Sequence, residues 1–366
     1  MNALPLNPTL ASLPVYQPGR PIDEVARELG LEPSSIIKLA SNENPLGPSP
    51  RALAAMQRIL PQLHLYPDGS AFHLKQRLAT GLGLRPENLI LGNGSNEIIE
   101  FVGHALMRPG AEIVVSQYCF AIYPIIAKMM GASVITVPAR DYGHDLAAMR
   151  RAITPATTVV FIANPNNPTG TLVPAAEVLE FVDHFPPHVL LVMDEAYVEF
   201  LDEPADLVAR IRAGTHPNLL LMRTFSKIHG LAGLRLGYGI GVPDLVASLE
   251  RVRQPFNINS LAQAAAMAAL EDAEHVNQTR ANNRAGLAWW DAELKKSGLA
   301  SVPSAANFLL VRVGDGQRVF AEMQKHGVIT RPMGGYQLPE FIRITVGTPA
   351  ENARCLSALL AVLGLA

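Results

Sequence analysis

The stretch that decides the fold runs from Leu219 to Gly237 and reads LLLMRTFSKIHGLAGLRLG. Its first four residues are apolar and predict a short buried strand, and the polar residues that follow place Ser226 and Lys227 at the carboxyl end of that strand. A lysine that ends a buried strand is costly unless it is paired or used chemically. Arg235 follows among glycines, so this segment brings an amine and a second cation to one strand end.

Three other segments have the same design, because each is an apolar run that ends in polar residues. They are residues 88–97, which end in GNGSNE, residues 159–170, which end in NPNNPTG, and residues 189–197, which end in DEAY. Continuous apolar runs separated by helical stretches are typical of parallel strands buried on both faces. Ligands of such sheets bind beyond the carboxyl ends of the strands. The side chains expected to converge on one cleft are therefore Ser95, Asn167, Asp194, Ser226 and Lys227.

This combination of side chains suits pyridoxal 5′-phosphate. The cofactor's aldehyde needs a primary amine, and Lys227 is the candidate for the Schiff base. The ring nitrogen must stay protonated for the ring to accept electrons, and the carboxylate of Asp194 can hold that proton. The amide of Asn167 and the phenol of Tyr197 can serve the ring hydroxyl. The phosphate suits the predicted helix start at residues 94–96, where free N–H groups favour an anion. Ser226 would add a hydroxyl group, and Arg235 would add a charged guanidinium group with parallel N–H donors.

With these motifs in place, the chain resembles the fold-type I pyridoxal-phosphate aminotransferases, and within them the histidinol-phosphate aminotransferase subfamily. The motifs span nearly the whole chain in the family's order. They begin at Tyr16 (YQPG), Ser41 (SNENPLGPSP), Tyr66 (YPD), Gly92 (GNGSNE), Asn164 (NPNNPTG), Asp194 (DEAY), Ser226 (SKIHGLAGLRLGY) and Arg343 (RITVGT).

The resemblance implies roles for further residues. Asn96 would join the phosphate site, and Phe120 would stack on the cofactor ring, where many relatives have tyrosine. Tyr66 would reach the phosphate from the neighbouring subunit of a homodimer. The remaining implied residues would bind the substrate, and they are Tyr16, Asn44, Arg331 and Arg343. Arg331 falls in an irregular run that predicts a loop over residues 330–335.

The same resemblance implies an activity. It is the transfer of an amino group from L-histidinol phosphate to 2-oxoglutarate in histidine biosynthesis, with Lys227 moving the proton. His229 is a weaker candidate for that proton transfer, because a released lysine can do it. Two nearby alternatives are an aromatic amino-acid aminotransferase and a threonine-phosphate decarboxylase. A nicotinamide-dependent oxidoreductase is a more distant one, since Glu97 stands where the third glycine of G-x-G-x-x-G would be. A cofactor-binding regulator would need a DNA-binding segment, and none is left over.

The composition is consistent with an enzyme that acts on small molecules. A net charge of −2 gives no reason to expect nucleic acid or an anionic membrane as partner, and 49% hydrophobic residues support a large core. Two cysteines in 366 residues predict neither a disulfide framework nor a cysteine metal site. The first residues have neither a charged region nor a long apolar run, so we expect a cytoplasmic protein.

The positions of proline, glycine and other loop-forming residues along the chain predict a two-domain α/β protein with a mostly parallel central sheet flanked by helices. Residues 1–30, rich in proline, would form an N-terminal arm. Residues 31–272 would form the large cofactor-binding domain, with the small domain as the alternative place for 31–50. Residues 273–366 would form a small α/β domain that starts with a long helix.

Overall fold

A computed structural model describes residues 4, 9–10, 13–15 and 18–365. Short 3₁₀ turns connect some of the elements. The helices are α1 (Ile22–Leu29), α2 (Pro50–Ile59), α3 (Phe72–Leu82), α4 (Ser95–Leu106), α5 (Ile122–Met129), α6 (Leu146–Arg151), α7 (Ala175–Asp183), α8 (Val208–Ala213), α9 (Pro243–Glu250), α10 (Ser260–Ala269), α11 (Ala273–Lys296), α12 (Gly316–Lys325) and α13 (Pro349–Leu363). The strands are β1 (Ile37–Lys38), β2 (Leu89–Gly92), β3 (Glu112–Ser116), β4 (Ser133–Val137), β5 (Thr157–Ala163), β6 (Leu190–Asp194), β7 (Leu219–Thr224), β8 (Gly237–Ile240), β9 (Ser301–Val302), β10 (Phe308–Arg312), β11 (Val328–Ile329), β12 (Arg331–Pro332) and β13 (Phe341–Thr345).

The large sheet has seven strands in the order β2-β8-β7-β6-β5-β3-β4. Strand β8 is antiparallel to both of its neighbours, and the pairs from β7 to β4 are parallel. Strand β2 therefore points in the same direction as β5, β6 and β7, although β8 separates it from them. The predicted fold class is confirmed, because the four apolar runs end at one edge of a mostly parallel sheet.

The apolar runs are continuous because each face of the sheet packs against its own hydrophobic core. In β7, Leu219 and Leu221 lie in one core cluster, whereas Leu220 and Met222 lie in the other. Successive side chains of a strand point to opposite faces, so a strand covered on both faces needs apolar residues at every position. This packing holds the strand ends, and the polar side chains that follow them, in fixed positions.

A second, four-stranded antiparallel sheet has the order β12-β13-β10-β9. Helices α11 and α13 contribute Trp290 and Leu359 to the core that packs against it. Strand β1 pairs in parallel with β11, so residues 37–38 lie against the C-terminal part of the chain. That contact is consistent with the alternative place for the 31–50 segment. The domain bounds themselves stay a prediction.

The long helix predicted to start at residue 273 is present as α11. The expected loop over residues 330–335 is wrong at its start, because Arg331 and Pro332 form strand β12 beside β13. A two-residue strand shows no periodicity in sequence, and the glycines at 334 and 335 favour a loop.

Candidate active site

A cleft of about 410 Å³ lies at the carboxyl edge of the large sheet, between that edge and strands β12 and β13. Its volume is in the range of small-molecule sites. The cleft brings together most of the residues singled out in the sequence, namely Ser95, Asn96, Phe120, Asn167, Asp194, Tyr197, Ser226, Lys227, Arg235, Arg331 and Arg343.

Lys227 lines the cleft. Its Nζ donates a hydrogen bond to the backbone oxygen of Ser41 at 3.2 Å and lies 5.7 Å from the centre of the Tyr197 ring. Burial, reinforced by the positive charge of Arg343, lowers the pKa of Lys227 to about 8. The lowered pKa increases the share of neutral amine near neutral pH over that of an ordinary lysine, and the neutral amine is the state that a nucleophile or a general base requires.

Asp194 ends β6 with its carboxylate buried. Burial raises the pKa of Asp194 above its ordinary value, while two hydrogen bonds lower it. The Tyr123 hydroxyl donates to Oδ2 at 2.6 Å, and the backbone N–H of Ala196 donates to Oδ1 at 3.1 Å. Tyr123 is itself fixed, because its ring is fully buried and stacks on Phe161 at 4.5 Å. A buried carboxylate held in this way can bind a protonated ring nitrogen.

Asn167 and Tyr197 both have partners within the cleft. Arg343 donates from Nη1 to Oδ1 of Asn167 at 2.6 Å and from Nη2 to the backbone oxygen of Ala40 at 2.9 Å. The phenol oxygen of Tyr197 accepts a hydrogen bond from Nδ2 of Asn42 at 2.9 Å. Burial raises the pKa of Tyr197, so its phenol stays protonated and can donate to an acceptor in the cleft.

The start of α4 forms an anion cradle with Arg235. A Cβ on Gly94, whose φ is +77°, would lie 2.4 Å from Nη2 of Arg235. A Cβ on Gly237 would lie 2.4 Å from the backbone nitrogen of Ser95. Only glycine at these two positions allows the guanidinium and the N-terminal amides of α4 to come this close, and both groups favour an anion.

Two arginines face the cleft from the smaller sheet. Arg331 and Arg343 are directly paired residues of the antiparallel strands β12 and β13. Like charges in such a pair repel, and an anion bound between them would relieve the repulsion. The pair and the anion cradle line the same cleft, and the charges of Arg343 and Arg235 both act on Lys227, so the cleft offers two groups of anion-binding side chains near the lysine.

Two predicted site residues that the structure describes do not line the cleft. Tyr66 is 82% exposed and stacks on Phe256, with ring centres 4.8 Å apart. Asn44 is buried, but its amide donates to the backbone oxygen of Ile228 and to Thr279 and does not line the cleft. Tyr16 lies outside the described residues. His229 is not among the described residues that line the cleft either.

The structure places three residues at the site that were not predicted from the sequence. Tyr123 holds Asp194, Asn42 holds Tyr197, and Tyr336 lines the cleft beside Arg331. A signal existed for Asn42, which belongs to the SNENP motif. Tyr123 and Tyr336 have no comparable signal, because their contacts depend on tertiary packing.

Residues 34–359 match the family model for aminotransferases of class I and II. The chain belongs to this family. This membership overturns the alternative of a nicotinamide-dependent oxidoreductase, and it agrees with a cleft built around a lysine with a lowered pKa.

Curated relatives of this aminotransferase match it over nearly its full length. A histidinol-phosphate aminotransferase from Akkermansia muciniphila is 49% identical over 358 residues, which cover 98% of each chain. Histidinol-phosphate aminotransferase 1 from Thiobacillus denitrificans is 51% identical over 98% of this chain and 94% of its own. The crystal structure of histidinol-phosphate aminotransferase from Sinorhizobium meliloti in complex with pyridoxal-5′-phosphate superposes with a TM-score of 0.91 at 30% identity, covering 100% of this chain and 99% of that chain.

None of the chain's described helices is long and apolar enough to cross a membrane. The described residues contain no group of three or more His, Cys, Asp or Glu side chains that could hold a metal ion.

Proposed function

We propose that the aminotransferase uses pyridoxal 5′-phosphate to transfer the amino group of L-histidinol phosphate to 2-oxoglutarate, in histidine biosynthesis. The products are imidazole-acetol phosphate and L-glutamate. The observation that carries this function is the identity of 49% over nearly the whole chain with a curated histidinol-phosphate aminotransferase. A cleft lined by a reactive lysine and by two groups of anion-binding side chains suits this pair of ligands, because the cofactor and the substrate each bring a phosphate.

The residues of the cleft fit the cofactor. The anion cradle, formed by the start of α4, Ser226 and Arg235, would hold the phosphate. Asp194 would face the ring nitrogen, and Asn167 and Tyr197 would face the ring oxygen. Phe120, which packs edge-on against Tyr123 at 5.7 Å, would cover the face of the ring. The close approaches at Gly94 and Gly237 support this fit, because any Cβ there would fill the cradle.

When bound, pyridoxal 5′-phosphate supplies an aldehyde that binds amines and a ring that accepts electrons from the substrate. Lys227 would bind the aldehyde between turnovers, and the substrate amine would take its place there. The released Nζ would then move the proton from the substrate's Cα, and its lowered pKa, about 8, favours the neutral form that this role requires. Asp194 keeps a proton on the ring nitrogen, and Tyr197 donates to the ring oxygen.

Arg331 and Arg343 would hold the anionic end of the substrate. Histidinol phosphate has no α-carboxylate, so its phosphate is the strong anion available to them, whereas glutamate presents carboxylates to the same pair. A guanidinium offers two parallel donors to either group. Arg343 also holds Asn167, so its removal would disturb the cofactor site as well.

We expect Arg331→Ala to raise KM for histidinol phosphate about tenfold or more, because a charge-assisted contact is worth roughly 1.5–3 kcal/mol. The KM for glutamate should rise less. Arg331→Lys should recover only part of the loss, since lysine cannot offer the planar fork. Arg312→Ala is the matched control, because Arg312 is an exposed arginine of the same small sheet. Steady-state kinetics measure KM for histidinol phosphate and for glutamate in each variant. An equal KM for histidinol phosphate in wild type and Arg331→Ala would show that Arg331 does not bind the substrate.

The substrate assignment is tested by comparing kcat/KM for histidinol phosphate, phenylalanine, tyrosine and threonine phosphate. We expect histidinol phosphate to exceed the aromatic amino acids at least ~10-fold, equivalent to about 1.4 kcal/mol. A better rate with phenylalanine or tyrosine would favour an aromatic aminotransferase. Carbon dioxide released from threonine phosphate would favour the decarboxylase.

We further propose that the enzyme is a cytoplasmic homodimer. Both cysteines are buried and free, as is usual in a reducing compartment. The support for a dimer is a group of exposed apolar side chains on α2 and the residues after it. This group consists of Leu53, Leu60, Leu63, Leu65, Tyr66 and Phe72. Contact with a second copy would cover this surface, and it would let Tyr66 reach the neighbouring cofactor phosphate.

A further inference from the structure

Asn42 joins the smaller sheet to the cleft. It is 1% exposed, and it lies at a φ of +55°, which few residues other than asparagine and glycine adopt readily. Its backbone oxygen accepts a hydrogen bond from Asn307 at 3.0 Å, and its backbone N–H donates to Oγ1 of Thr345 at 2.9 Å. The residue before it, Ser41, accepts the hydrogen bond of Lys227. Asn42 is therefore fixed on the wall of the cleft.

The hydroxyl of Thr345 favours one orientation of the Asn42 amide. Its Oγ1 accepts from the Asn42 backbone N–H at 2.9 Å, and the same hydroxyl donates to Oδ1 of Asn42 at 3.4 Å. With its oxygen towards Thr345, the amide turns its NH₂ group towards Tyr197. The contact between Nδ2 and the Tyr197 oxygen, 2.9 Å long, agrees with that orientation.

The direction of donation continues at Tyr197. An amide NH₂ group can only donate, so the phenol oxygen accepts from Asn42 and cannot direct its hydrogen back to it. Tyr197 is 3% exposed and lines the cleft. Its hydrogen is consequently available to an acceptor in the cleft, and donation in series strengthens each bond that follows.

We infer that Asn42 is a positioning residue, which acts with Thr345 to direct the Tyr197 hydroxyl into the cleft as a donor to the cofactor's ring oxygen. The inference rests on the proposed function, because it needs a bound cofactor. It adds that the electronic state of the ring depends on the direction of hydrogen-bond donation from Thr345 through Asn42 to Tyr197, and not only on the presence of Tyr197.

The test is a pH titration of the visible absorption of the cofactor-loaded protein. The ring oxygen carries more negative charge after the chromophore loses its proton, so a donor at that oxygen lowers the pH midpoint. Asn42→Asp keeps the size of the side chain and suits the same φ, but it has no NH₂ group and makes Tyr197 donate away from the cleft. We expect the midpoint to rise by about one pH unit or more, a tenfold change in proton affinity.

A negative charge at position 42 could also raise the midpoint, so the same change is made in a Tyr197→Phe protein. If Asn42 acts through Tyr197, Asn42→Asp causes no further rise in that background. A rise of the same size with and without the hydroxyl would overturn the inference and leave only a charge effect.

Thr345 provides a test without a change of charge, which also serves if Asn42→Asp does not fold. Thr345→Val removes the hydroxyl that orients the amide and should raise the midpoint by a smaller amount. Thr345→Ser keeps the hydroxyl and should leave the midpoint where it is. Equal midpoints in the serine and valine variants would contradict the inference. A wild-type protein that binds no coloured cofactor would contradict the proposed function itself, and the inference with it.

Discussion

Lys227→Ala is expected to lose turnover by a factor on the order of 10⁴ or more, because one residue supplies both the bond to the cofactor and the proton transfer at Cα. The variant should also hold the cofactor weakly. Its fold should survive, since the lysine makes one hydrogen bond, to the backbone of Ser41. Single-turnover rates with histidinol phosphate measure the loss.

Lys227→Arg separates the charge of the side chain from its chemistry. A guanidinium stays protonated, so this variant should be as inactive as Lys227→Ala. In the cofactor-free wild type, the neutral amine attacks the aldehyde, so the rate of cofactor uptake should rise with pH and level off above about 8, the pKa of Lys227. Turnover of Lys227→Arg at a wild-type rate would show that another residue carries the reaction.

Asp194→Asn is expected to slow Cα–H cleavage on the order of a hundredfold or more, because the amide cannot stabilise a protonated ring nitrogen. The fold should persist, since the amide nearly preserves the shape and removes a buried charge. The primary kinetic isotope effect with Cα-deuterated substrate should increase as this step becomes slower. A normal turnover rate would contradict the role of Asp194 as the partner of the ring nitrogen.

Tyr123→Phe provides a graded comparison for that experiment. The Tyr123 hydroxyl lowers the pKa of Asp194, so its loss raises that pKa further and shifts the shared proton from the ring nitrogen towards the carboxylate. We expect the same direction of change as in Asp194→Asn and a smaller one, about tenfold at most, in line with one lost hydrogen bond. Unfolding in denaturant should show the cost of removing a buried hydroxyl separately from the kinetic effect.

The sequence was sufficient to predict where the strands of the large sheet end, because that sheet is buried on both faces. Uninterrupted apolar runs such as 189–193 and 219–222 mark the strands. Asp194 follows the first run directly, and Lys227 lies five residues after the second. Strand β8 escaped prediction because it contains two glycines and is only four residues long. Strands β9, β11 and β12 are two residues long, which is too short for any periodicity.

The contacts that tune the site could not be predicted in the same way. The bond between Tyr123 and Asp194 joins residues 71 positions apart, and Arg343 meets Asn167 across 176 positions. The sequence does not show whether Tyr118 or Tyr123 contacts Asp194. Only the packing of α5 against the sheet places Tyr123 there. Asn44 and Asn42 share one motif, yet the backbone turn at φ +55° directs Asn42 towards Tyr197.

The central claim is that one lysine at the end of β7 carries the cofactor in a cleft where four strands end. Borohydride reduction of the cofactor-loaded wild-type protein, followed by peptide mapping, tests it most directly. The cofactor should become fixed irreversibly to the peptide that contains Lys227, and the label should be absent from Lys227→Arg. A label on any other peptide, or an unchanged label in Lys227→Arg, would contradict the assignment.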